Sequence, residues 1–111
     1  MAINEAADRA DFSINQQVIV RALGPTLTNF GIAGALADPT LSLLDANGTP
    51  LAFNDNWKNM QQAEITATGK APPDDWESAI MRTLVPANYT AVVRGMNDTT
   101  GLALVEAYAL Q

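Results

Sequence analysis

The sequence predicts an all-β protein: an antiparallel, jelly-roll-like β-sandwich of about seven strands with one short helix. Three observations predict it. Short apolar runs recur at a spacing of roughly ten residues. Gly, Pro, Asn and Asp fall between them, where turns need their backbone freedom and side-chain hydrogen bonds. The last run, Leu102 to Leu110, alternates as a half-buried strand does. At 111 residues the chain is one domain, long enough to bury a core.

The elements follow in order. Residues 1–11 are polar and Ala-rich, and read as an N-terminal arm ahead of a single sandwich domain over residues 12–111. Phe12, Ile14 and the run Val18 to Leu23 predict a long strand with a polar interruption at Asn15 to Gln17. Gly24-Pro25 ends it, because proline brings no ladder donor. Thr26 to Ala37 reads as a loop with one helical turn, and Asp38-Pro39 as a turn. Thr40 to Leu44 and Thr49 to Phe53 predict two strands joined by a hairpin at Asp45 to Gly48, where Asn-Gly accepts positive φ. Lys58 to Thr68 has helical spacing at Met60, Ala63 and Ala67 and is closed by Gly69. Trp76 to Leu84 and Tyr89 to Arg94 are strands, and Gly95 to Gly101 predicts a second hairpin turn before the final strand.

Composition excludes several function classes. There is no His and no Cys, so imidazole or thiolate metal sites, Ser-His-Asp and Cys-His catalysis, and disulfides are all ruled out. Six basic against twelve acidic residues, net −6, and no basic run argue against a nucleic-acid partner. No apolar run is long enough for membrane insertion as a helix. Nothing marks a carboxyl for acid–base chemistry, and Ser13, Ser42 and Ser78 have no base to activate them, so the chain reads as non-catalytic.

Oxygen ligands remain, and they suit calcium. Asp38, Asn54, Asp55, Asp74, Asp75 and Glu77 all fall in or beside loops that one end of a sandwich could gather into a calcium site. The alternative is turn and cap chemistry, which uses the same residue types. Trp57 and Trp76 each sit beside an acidic loop and predict either a sugar-stacking platform or two core plugs whose indole N–H groups bond to loop oxygens. Asn47, Asn88 and Asn97 begin three N-x-Thr sequons at predicted turns, where glycans fit. Arg21, Arg82 and Arg94 fall in strands, where cross-strand carboxylates such as Glu106 can pair with them.

Several blocks fall in a distinctive order: Val18-Ile19-Val20-Arg21-Ala22-Leu23-Gly24-Pro25, Ala37-Asp38-Pro39-Thr40-Leu41, Asn54-Asp55-Asn56-Trp57, Glu77-Ser78-Ala79-Ile80, Tyr89-Thr90-Ala91-Val92-Val93-Arg94-Gly95 and Thr99-Thr100-Gly101. Over about residues 18–110 the chain resembles a β-sandwich module of secreted and cell-surface proteins of environmental bacteria. It is distantly similar to bacterial pre-peptidase C-terminal domains, some of which bind calcium through loop acids. The resemblance implies an extracellular, non-catalytic module and supplies no catalytic residue. Such modules carry more strand sequence before the Val18 to Pro25 block, whereas here a short polar arm stands there.

A sandwich short of one strand recruits one from another chain. The arm, with Ile3 in it and Phe12 and Ile14 at its root, is the expected donor. Donation from copy to copy is head-to-tail and builds a filament when it does not close. The sequence therefore predicts a structural subunit of an extracellular filament or coat whose partners are copies of itself, with calcium at its acidic loops and glycans at its sequons. The alternative is a carbohydrate-binding or calcium-dependent accessory module of a secreted protein.

Overall fold

The structure, a computed structural model, describes the backbone of Ala2–Ile3 and residues 15–110 in full. Phe12 and Ile14, expected at the root of the arm, lie outside the described residues. Two antiparallel sheets pack face to face. The first has the order β1-β6-β3-β4, with β1 (Ala2–Ile3), β3 (Pro39–Leu44), β4 (Pro50–Asn54) and β6 (Tyr89–Gly95). The second has the order β5-β2-β7, with β2 (Gln16–Leu23), β5 (Ser78–Leu84) and β7 (Leu104–Leu110). The expected sandwich is thus present, with three full strands to each sheet and the two-residue β1 added to one of them.

Alternation gathers Val18, Val20 and Ala22 of β2 and Ile80 and Leu84 of β5 into one cluster with Leu41 and Leu43 of β3 and Tyr89 and Ala91 of β6. Sandwich cores form from such inward rows of two sheets. The opposite face of β2 is covered as well. Ile19 packs with Ala79, Trp57 and Ile65, the last carried by α2 (Gln62–Ala67). Burial on both faces explains why Val18-Ile19-Val20 is a continuous apolar run rather than an alternating one.

The helix itself corrects a reading. Met60, Ala63 and Ala67 are exposed, and the fully buried Ile65 is the anchor. A helix of six residues presents too short a face for a stripe, so one large side chain holds it. Gly69, at φ +73°, ends it as expected.

The other correction concerns Gly95 to Gly101. No hairpin forms there, because β6 and β7 belong to different sheets. The chain instead crosses through a 3-10 turn at Met96–Asp98, with Asn97 and Asp98 at φ 57° and 60°.

Proline and glycine set the other corner. α1 (Pro25–Asn29) starts with Pro25 in its first turn. Gly24 ahead of it has the Leu36 carbonyl so close that a Cβ would stand 2.2 Å from that oxygen.

Edges distinguish the strands. β4 and β5 face each other and are plugged by side chains. The Gln61 amide both donates to the Met81 carbonyl (2.8 Å) and accepts from the Met81 N–H (3.1 Å). Asn54 Oδ1 accepts from the Ala79 N–H (2.9 Å), and Arg82 donates to the Leu51 carbonyl (2.7 Å). Such plugs stop an edge from templating another strand. On the other side, among the described residues, the outer edge of β6 carries β1 at Tyr89 and Thr90, and β7 carries no second strand.

Candidate functional site

The β3–β4 register pairs Leu41 with Asn54 and so brings the start of β3 beside the end of β4. Asp38 and Asp55, seventeen residues apart in sequence, meet there. Burial pushes the Asp38 pKa up to about 6, helped by the hydrogen bond its protonated form shares with Asp55 and by the Asp55 charge. Asp38 Oδ1, Asp55 Oδ1 and the adjacent Asn56 Oδ1 are buried with no hydrogen-bond donor. Buried oxygens of this kind normally have a partner. The corner can share a proton or take a hard cation.

The other expected ligands go elsewhere. Glu77 is fully buried and serves the fold: Oε2 accepts from the Gly24 and Thr26 N–H groups (both 2.8 Å), and Oε1 accepts from the Thr26 hydroxyl (2.7 Å) and the Asp74 N–H (3.0 Å). It ties the end of β2 and the start of α1 to the loop before β5. Asp74 Oδ1 accepts from the Trp76 N–H (2.9 Å), an Asx turn. Asp75 pairs with Lys58 at the surface (2.8 Å). Asn54 holds the β5 edge and donates to the Asn56 carbonyl (3.1 Å). Among the described residues no three carboxylates converge on one point, so the six expected ligands do not form one site.

The two indoles separate. Trp57 is 6% exposed and donates its N–H to the Asp74 carbonyl (3.2 Å), as a core plug does. Trp76 is 55% exposed. Asn47, Asn88 and Asn97 are all exposed at turns. Arg21 pairs with its cross-strand neighbour Glu106 (2.7 Å), as its strand position predicts, and stacks on Tyr108 at 5.3 Å.

The arm meets the fold at β6. Ala2 pairs with Thr90 and Ile3 with Tyr89, antiparallel. Tyr89 looks into the core and bonds its hydroxyl to the Val85 carbonyl. Toward its other end β6, from Val93 to Gly95, has β3 on one side and no strand on the other among the described residues. Sequence reasoning expected an acceptor edge but did not say which. The signal lay in Tyr89 to Gly95, which lacks the inward charge or proline that would blunt an edge.

No family model, curated protein or solved structure matches the chain.

Proposed function

We propose that this protein is a non-catalytic structural subunit of an extracellular filament or coat, in which each copy lays its N-terminal arm on the β6 edge of the next. The observation that carries the reading is β1 itself. Two residues from the start of the chain already add to this sheet as its outermost strand. A pairing made within one chain can be made between identical chains at little cost in free energy, because the contact is the same.

Reach permits the exchange. Eleven residues separate Ile3 from Asn15, a covalent length of at most about 40 Å, and the longest dimension of the molecule is 42 Å. The energetics permit it too. The described pairing, two residues at about 1 kcal/mol per hydrogen bond, is one that a second copy can supply equally well. The test is deletion of residues 1–11. Intact protein forms polymers visible by light scattering and negative stain, and the truncated protein does not. Equal scattering from both removes the arm from the account.

Calcium enters this reading at Asp38, Asp55 and Asn56, whose buried oxygens lack donors. A cation there would relieve the repulsion between the two carboxylates and stiffen the end of the β3–β4 hairpin. The exposed Trp76 supports the second reading, a carbohydrate-binding module. In that case an oligosaccharide shifts the emission of Trp76, while Trp57, already buried, stays silent.

A further inference from the structure

The outer edge of β7 carries no strand among the described residues, and its sequence is self-complementary about Ala107. We infer that two copies pair antiparallel through β7, related by a two-fold axis at Ala107, to join their three-stranded sheets into one of six strands.

Hydrogen-bond parity sets which groups are free. The N–H groups of Ala79 and Met81 turn away from β2 to Asn54 and Gln61. Their β2 partners, Arg21 and Ile19, must then turn their own backbone groups toward β7, since successive residues alternate. These residues pair with Glu106 and Tyr108, so Glu106 and Tyr108 face β2, and Val105, Ala107 and Ala109 face outward. Each outward residue offers one N–H and one C=O. Centred on Ala107, Ala107 meets its own copy and Val105 meets Ala109, and all three N–H and all three C=O groups of each copy are used.

Side chains agree with this register. Leu104 falls opposite Leu110, and Glu106 opposite Tyr108, so no like charges oppose each other across the axis. Lys70 stands over the Tyr108 ring at 4.6 Å and has no carboxylate partner among the described residues. Across the axis it meets the Glu106 of the other copy, twice by symmetry. The strand carries one charge, Glu106, and no proline, whereas β4 and β5 are plugged.

The chain has no cysteine, which makes a register test clean. In this pairing the two Ala107 Cα atoms stand about 5.5 Å apart, within disulfide range. The two Ala109 Cα atoms stand about 14 Å apart, well outside it. Under mild oxidation, A107C is expected to give a disulfide-linked dimer on a denaturing gel, at least tenfold more than A109C alone. A mixture of V105C and A109C is expected to give a dimer although neither does by itself. That mixture keeps Ala107 intact and stands should A107C fail to fold. K70E is expected to slow the cross-link of the mixed pair several-fold at low salt. Dimer yields that are equal at all positions, or absent from both A107C and the mixed pair, overturn the inference. Arm exchange does not bring residues 105–109 of different copies together, so loss of polymer with retention of these cross-links faults the arm alone.

Discussion

Replacing Glu77 with glutamine tests how the corner between β2, α1 and β5 is held. Four donors converge on this carboxylate at 2.7 to 3.0 Å in a fully buried position. An amide has one oxygen and one NH2. Placed with its nitrogen at the Oε1 position, it can still donate to the Thr26 hydroxyl, which rotates to accept, but the Asp74 N–H is orphaned. An orphaned buried donor costs about 1–3 kcal/mol. The bonds from Gly24 and Thr26 also lose their charge assistance, about 1 kcal/mol each. The sum is about 3–5 kcal/mol, or a melting temperature lower by roughly 12–20 °C in a domain of this size. Urea unfolding of E77Q beside the parent, read at unchanged slope, measures it. A loss under about 1 kcal/mol would refute the idea that this carboxylate anchors the corner, and would return Glu77 to the ligand role its sequence position suggested.

Three further outcomes follow from the same geometry. Asp38, with a folded pKa of about 6 against 3.8 for the free group, binds more protons folded than unfolded between those values. Stability therefore falls as pH rises from about 4 to about 6, and the loss is complete above. D38N is expected to be more stable than the parent at pH 7, by on the order of 1–2 kcal/mol, and equal to it at pH 4, by urea titration without calcium; added calcium stabilises the parent at pH 7 and not the variant. Ile65→Ala empties the anchor of α2 and is expected to cost about 2–4 kcal/mol in the same assay. Gln61→Gly keeps the φ of 50° but unplugs Met81, so it is expected to lose about 1–3 kcal/mol and to aggregate faster on agitation, measured by turbidity.

The strands were legible because their signals are local. Alternation in Leu102 to Leu110, Asn-Gly after Leu44 and Gly-Pro after Leu23 each act within a few residues. What failed depended on the partner sheet. Gly95 to Gly101 has the composition of a hairpin turn, but that composition serves equally well where a chain crosses between sheets. The stripe of Met60, Ala63 and Ala67 was read in place of Ile65, because one anchor in a short helix makes no period.

The acidic residues show the same division. Asp74 makes the local bond of a turn residue, and Asp75 pairs at the surface with Lys58. Asp38 and Asp55 meet only through the β3–β4 register, and Glu77 is buried only because α1 docks on it. A single glutamate leading the apolar Ser78-Ala79-Ile80 run was the available sign that it enters the core with that strand.

The central claim is that the start of one chain completes the sheet of another. The Ala2–Thr90 pairing allows a direct measurement with the double variant A2C/T90C, in a chain otherwise free of cysteine. Exchange between copies predicts, after oxidation and without reductant, a denaturing-gel ladder at multiples of 11.8 kDa. A single oxidised monomer band, with no higher species at any protein concentration, would show that each arm closes on its own chain and would contradict the account.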